Sequence, residues 1–162
     1  MRIAVVTISD RARRGQYEDL SGPAVEAWLR ETVVTPFEIV GRVIPDGVSA
    51  VRDTLLALCD ELHADLILTT GGTGQALRDG TPEAMPAVVT RALPGFGEQR
   101  RRASTRGKTL IINLPGKPGS IRFSLDAIFA TVPYCLDLIG AGWMDTDPAR
   151  IRAFRPSPPS SN

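Results

Sequence analysis

Residues 3–9 read IAVVTIS, a run of apolar and β-branched side chains with no polar face. A strand with that composition must be covered on both faces, which is the situation of a strand inside a parallel sheet. DLILTT (65–70) and TLIINLPG (109–116) repeat the pattern, the latter breaking at Asn113. FEIVGRVI (37–44) adds a strand with half-buried alternation, stopped by Pro45 and Asp46. Segments of helical period separate these runs. Strands alternating with helices imply an α/β fold: a mostly parallel sheet with helices on both faces.

The intervening helices can be placed by period and punctuation. Ser21 offers an N-cap with Pro23 in the first turn, and Val25, Trp28 and Leu29 fall on one face, which places Trp28 in the core. Residues 48–62 put Val51, Leu55, Leu58 and Leu62 at helical spacing. Residues 81–93 read as a helix capped by Thr81, with Pro82 at its first position and Pro86 disturbing it. Residues 94–102 read as a turn and a short basic helix, and residues 120–139 as largely helical with a kink at Pro133. The pattern divides the chain into one domain, residues 1–144, and a solvated Pro/Ser-rich tail, residues 145–162.

Composition removes several classes of function. A net charge of +1 over 162 residues argues against broad capture of nucleic acid or of a membrane surface. No apolar run approaches the roughly 18 residues of a spanning helix, and no leader pattern opens the chain, so a cytoplasmic location is expected. One histidine and two distant cysteines cannot make a zinc set. Cys59 and Cys135 each sit in an apolar helical context and read as packed thiols. A Ser-His-Asp triad would have to use His63, which reads as a solvated helix end.

Four strands end in something other than more core: Ser9-Asp10, Pro45-Asp46, Gly71-Gly72-Thr73-Gly74, and Asn113-Leu114-Pro115-Gly116. Parallel strands bring all four endings to one edge, where ligands of open α/β sheets bind. Gly71, Gly72 and Gly74 can expose backbone N–H groups to an anion such as phosphate, though a plain tight turn also explains them. Neither a P-loop nor a dinucleotide fingerprint is present. Asp46 and Asp79 follow separate strands on that edge. Two carboxylates beside a phosphate site suit Mg²⁺, which takes one or two carboxylates plus phosphate oxygens. A Pro-Asp-Gly turn would equally account for Asp46, and a turn or the neighbouring Arg78 for Asp79. Residues 113–120, NLPGKPGS, offer an anion site through Lys117 and a helix start, or simply a rigid connection. Arg100, Arg101 and Arg102, with Arg106, read as a solvated basic face.

The segments TISDR, DLSGPAV, VIPDG, LTTGGTG with RDGTPEA, LPGFGEQ, IINLPGKP and VPYCLDLI stand in this order. Together they resemble the molybdopterin adenylyltransferases of the MogA group, related to MoaB and to domains of gephyrin and its plant counterpart. The likeness covers residues 3 to 140. It implies the three-layer molybdopterin-binding fold, commonly a trimer, with molybdopterin and Mg-ATP as substrates and adenylyl-molybdopterin and pyrophosphate as products. It implies that Asp46 and Asp79 are the acidic residues needed for turnover and hold Mg²⁺. It assigns Ser9, Asp10, Gly71, Gly72, Thr73, Gly74, Asn113, Pro115, Gly116 and Lys117 to substrate and nucleotide binding. A molybdenum-insertion protein is the implied partner, and a non-catalytic molybdopterin carrier is the rival reading. The chain departs from its relatives in two regions; it lacks an insertion common before IFATVPYC, and the other departure lies upstream. They carry a longer segment between GFGEQ and LIINLPG, with a Ser-Arg motif near the pterin, where RRRASTRGKT crosses directly here.

Overall fold

The computed structural model describes residues 1–72, 80–93 and 102–156. Six strands form one sheet: β1 (Arg2–Ile8), β2 (Glu38–Ile44), β3 (Leu66–Gly71), β4 (Arg91–Leu93), β5 (Arg102–Arg106) and β6 (Thr109–Leu114), in the order β2-β1-β3-β6-β5-β4. β2, β1, β3 and β6 are mutually parallel, and β5 is antiparallel to both β6 and β4. The helices are α1 (Asp10–Arg13), α2 (Ser21–Thr32), α3 (Val48–Asp60), α4 (Thr81–Val88), α5 (Pro118–Ile128) and α6 (Val132–Ile139).

The period-two geometry of the strands sorts the core into two halves. Ile3, Val5, Leu66, Leu68, Leu110 and Ile112 point to one face and pack with Val25, Trp28 and Leu29 of α2 and with Ile121, Leu125 and Leu136 of α5 and α6. Ala4, Val6, Ile67 and Ile111 point to the other, against Val51, Leu55 and Leu58 of α3 and Ala84, Met85 and Val88 of α4. This is the three-layer α/β/α sandwich. Trp28 is 2% exposed, its ring meets Phe129 edge-on at 4.6 Å, and its indole N–H donates to Asp126 Oδ1 at 2.8 Å.

Several local readings need correction. The helix begun at Thr81 stops at Val88, because Val89 turns extended and leads into β4, so residues 91–93 are strand rather than helix. Pro86 lies inside α4, whose eight residues end two positions after it. Thr81 is the first helical residue rather than the cap; Gly80 occupies the cap position, and the Thr81 hydroxyl is buried without a hydrogen-bond partner among the described residues. Ser21 is likewise the first residue of α2, and the carboxylate of Asp19 does the capping, accepting from Ser21 N–H at 3.1 Å and Gly22 N–H at 3.0 Å. Arg102 opens β5; the rest of the short basic helix read over 94–102 lies outside the described residues. The break in the last helical stretch falls at a 3-10 turn, Phe129–Thr131, which leaves Pro133 in the first turn of α6, where its missing N–H costs nothing.

The segment from Asp145 to Arg155 is docked at several points rather than free, with Pro148, Ala149, Arg150, Arg152 and Phe154 exposed. Thr146 bridges to Val33, Asp147 N–H donates to the Thr32 carbonyl at 2.8 Å, and Phe154 N–H donates to the Ala130 carbonyl at 2.7 Å. Arg155 closes this strap. It donates to both carboxylate oxygens of Asp137, to Asp145 and to the Met144 carbonyl, and its guanidinium lies 3.9 Å from the centre of the Trp143 ring. Among the described residues no helix is long and apolar enough to cross a membrane.

Candidate functional site

At the carboxyl ends of β1, β2 and β3 the structure opens a cleft of about 280 Å³. Its lining includes Ser9, Asp46, Gly71, Gly72 and Gly116, five of the residues expected from sequence, drawn from four separate chain segments. A broader, more open hollow of about 540 Å³ lies at the opposite edge, lined by Met1, Arg2, Pro36, Phe37, Glu38, His63 and Asp65. It holds none of the glycine or acidic strand endings, so size alone does not locate the chemistry. His63, in a left-handed turn after α3 (φ 55°), belongs to that far edge.

The acidic side of the cleft is built from backbone. Ser9 N–H donates to the Ile44 carbonyl at 2.9 Å, which extends the β1–β2 pairing by one residue. Ser9 Oγ then accepts from Ala12 N–H at 3.3 Å and caps α1. Next to it the two aspartates hold each other: Asp10 N–H donates to Asp46 Oδ2, and Asp46 N–H donates to Asp10 Oδ1, both at 3.1 Å. The reciprocal pair fixes the carboxylate of Asp46 in a half-buried position and leaves its second oxygen without a donor among the described residues. A Pro-Asp-Gly turn and a functional carboxylate are therefore the same object here.

The glycine side is set by close backbone approach. Gly71 has φ 84°, and a Cβ there would stand 2.3 Å from the Ile8 carbonyl oxygen; a Cβ on Gly116 would stand 2.8 Å from Gly71 Cα. Bare backbone is what lets the ends of β1, β3 and β6 meet. Below, Ser21 Oγ donates to the Gly116 carbonyl at 2.9 Å. Asp19 Oδ2 accepts from the Thr7 hydroxyl at 2.8 Å, and the Thr70 hydroxyl lies 3.5 Å from Thr7 Oγ1. Thr7, Asp19, Ser21 and Thr70 all line the cleft, as do Arg11 and Tyr17, and none of these six was singled out as a site residue from sequence. The signal for Asp19 was available, since a carboxylate two residues before Ser-Gly-Pro is a helix-start pattern. Thr7 and Thr70 were hidden inside apolar runs.

The remaining expected residues divide in two. Thr73, Gly74 and Asp79 lie outside the described residues. Asp10 contacts the cleft through its bond with Asp46, whereas Asn113, Pro115 and Lys117 do not line it. Asn113 is 6% exposed, and its side-chain oxygen accepts from the Thr69 hydroxyl at 2.7 Å, which locks β3 to β6 just beneath the edge. Lys117 is exposed at the cap position of α5. One further contact concerns the acidic rim. Gly80, which follows Asp79 in sequence, packs on Gly47 and Val48, which follow Asp46: a Cβ on Gly80 would fall 2.5 Å from Val48 N and 2.7 Å from the Gly47 carbonyl carbon.

This arrangement suits a phosphorylated ligand. It combines a glycine turn at the end of β3 with an oriented carboxylate that has one oxygen to spare among the described residues. Among the described residues it contains no cluster of three metal-ligating side chains, so any cation would have to ride on ligand oxygens as well.

A family model described as "probable molybdopterin binding domain" matches residues 4–134. The molybdopterin adenylyltransferase of Helicobacter pylori (strain ATCC 700392 / 26695) is 45% identical, over 96% of this chain and 97% of its own length. That of Escherichia coli K12 is 43% identical, over 96% and 94%. These alignments run over 171 and 183 positions, so the relatives carry residues that this chain lacks. Among solved structures, the molybdopterin biosynthesis enzyme MoaB of Thermus thermophilus superposes with a TM-score of 0.78 at 36% identity, covering 88% of this chain and 98% of that one. The molybdopterin biosynthesis Mog protein of Mycobacterium ulcerans does so at 0.75 and 34%, covering 85% and 98%.

Proposed function

The chain belongs to the molybdopterin-binding domain family, and from that premise we propose that it is a molybdopterin adenylyltransferase. In this reading it takes Mg-ATP and molybdopterin and releases adenylyl-molybdopterin and pyrophosphate, a step in molybdenum cofactor biosynthesis. The observation that carries the reading is the Asp46 carboxylate, tethered by Asp10 and facing the Gly71–Gly72 turn across a single cleft.

The chemistry asks for what these residues supply. A phosphate monoester oxygen on the pterin attacks the α-phosphorus of ATP, and the bond from that phosphorus to the pyrophosphate oxygen breaks. The nucleophile is already an anion at neutral pH, so no strong base is required, and His63 at the far edge is no loss. What remains is to hold two phosphates in line and to balance their charge. The bare backbone of the Gly71–Gly72 turn is proposed to meet phosphate oxygens, while the Thr7 and Thr70 hydroxyls, committed to Asp19 and to each other, brace the strand ends beneath it. The free oxygen of Asp46 fits Mg²⁺, and Asp79, by family register, is its proposed second carboxylate; when bound, the ion would offset phosphate charge. The proposal extends to Ser9, Thr73, Gly74, Asn113, Pro115 and Lys117 as substrate-side residues, and to a cytoplasmic homotrimer that hands its product to a molybdenum-inserting protein.

The test supplies molybdopterin and Mg-ATP and follows pyrophosphate. Release from the wild-type protein should depend on Mg²⁺, and Asp46→Asn, with its circular dichroism unchanged, should lose on the order of 10²-fold in kcat/KM, the scale of removing one charge-stabilising group. No Mg-dependent release from the wild type, or full release from the variant, refutes the reading. A pterin carrier would show the former, and would bind pterin without Mg-dependent affinity for ATP.

A further inference from the structure

The described lining of the cleft carries the carboxylates of Asp19 and Asp46, with that of Asp10 bonded beside them, and one cationic side chain, Arg11. A magnesium nucleotide still bears net negative charge, so an acidic cleft needs a cation aimed at its phosphates. We propose that Arg11, braced on the ring of Tyr17, grips the polyphosphate of the nucleotide. The inference rests on the adenylyl-transfer reading and names the side chain that receives its phosphate donor.

Three features single out Arg11. Its charge is uncommitted: Arg52, Arg106, Arg122, Arg150 and Arg155 are each paired with a carboxylate, whereas Arg11 has no ion pair among the described residues. Its position is fixed at the root, because Ser9 caps α1 and is itself bonded to the end of β2. Its head is steadied without being used up. The guanidinium carbon lies 5.4 Å from the centre of the Tyr17 ring, a cation–π contact that uses none of the guanidinium N–H donors. That planar fork matches two phosphate oxygens at once. Both side chains are exposed, Tyr17 by 44%, so the pair is open to a ligand. Lys117, the cation expected from sequence, does not line the cleft.

The experiment has two arms. In the first, Mg-ATP is titrated at fixed molybdopterin. Arg11→Ala should raise the KM for Mg-ATP about tenfold, equivalent to about 1.4 kcal/mol. It should weaken inhibition by pyrophosphate in parallel and leave the KM for molybdopterin unchanged. Tyr17→Phe, which keeps the ring, should behave as wild type, while Tyr17→Leu should raise the KM for Mg-ATP about threefold, within the range of an exposed cation–π contact. In the second, calorimetry measures tripolyphosphate binding to the wild type and Arg11→Ala without any turnover, and the variant should bind about tenfold more weakly. Unchanged tripolyphosphate affinity in Arg11→Ala overturns the proposal, as does a rise confined to the KM for molybdopterin. A wild type that binds tripolyphosphate through Arg11 but releases no pyrophosphate would instead sink the adenylyl-transfer reading alone.

Discussion

Replacing Gly80 with alanine probes the link between α4 and the acidic rim. Gly80 has φ −101° and ψ 1°, a conformation alanine adopts without strain, so the backbone itself gives no reason for glycine. The reason is contact. The new Cβ would lie 2.5 Å from Val48 N, where ordinary contact begins at 3.4 Å, so the start of α4 must retreat by about 0.9 Å from the start of α3. The neighbour is backbone at a helix N-terminus and cannot rotate away. Overpacking of this kind costs about 1–3 kcal/mol, while the lost flexibility of the unfolded chain returns about 0.4–1 kcal/mol, which leaves a net loss of about 1–2 kcal/mol. The functional cost should be larger, because a shift near 1 Å in a positioning site is worth about 10²-fold in rate. Gly47 adjoins Asp46 and Gly80 adjoins Asp79, so the displacement falls between the two acidic segments. Urea unfolding followed by tryptophan fluorescence gives the first quantity, and kcat/KM for pyrophosphate release gives the second. Gly119→Ala, where a Cβ meets nothing within 4 Å, is the control and should be neutral or slightly stabilising. A Gly80→Ala protein with wild-type stability and rate within twofold would refute the argument that this contact sets the rim.

The thiol of Cys59, 6% exposed in α3, is pushed up to about 11 by burial. Its neutral form is therefore favoured in the folded state, so its contribution is fully present below the unfolded thiol range near 8.5–9 and is lost as pH rises through about 11. Cys59→Ala should flatten the decline in urea-measured stability between about pH 9 and 11, a slope that otherwise approaches 1.4 kcal/mol per pH unit. Arg155→Ala removes the clasp of the C-terminal strap and leaves Asp137 without its partner, and should cost about 1.5–3 kcal/mol. It should expose residues 145–156 to protease while pyrophosphate release is unchanged, since the strap lies on α2 and α6 and not at the cleft.

The parallel half of the fold was legible because burial on both faces leaves no other choice of residue. β1, β3 and the apolar part of β6 announce themselves as uninterrupted apolar runs. β4 and β5 do not: Arg91–Leu93 and RASTR carry no apolar pattern, and their extended form comes from pairing with β6 and with each other. The same limit governs the caps. Asp19 and Ser21 are both good capping residues, and the choice between them depends on the helical backbone of Leu20, which composition does not reveal. The strap was hidden for a different reason. Its polar, Pro- and Arg-rich sequence matches solvated chain, while its attachment rests on backbone bonds to Thr32, Val33 and Ala130 and on the Arg155 clasp.

The topology separates the cleft from the antiparallel half of the sheet. β5 and β6 are joined by the two residues Gly107 and Lys108, with Gly107 at φ 54°, so that connection is already minimal. Leu93 pairs with Ala103 and Arg102 with Asn113, so β4 ends and β5 begins at the same edge as the cleft. The resemblance places the relatives' longer segment after GFGEQ, in the stretch that RRRASTRGKT (100–109) crosses here. The tethered Asp46, the Gly71–Gly72 turn and Arg11 all stand on the parallel half, whose pairing β4 and β5 do not share. In the proposed adenylyl transfer that half supplies position and charge, and none of the described cleft residues comes from β4 or β5.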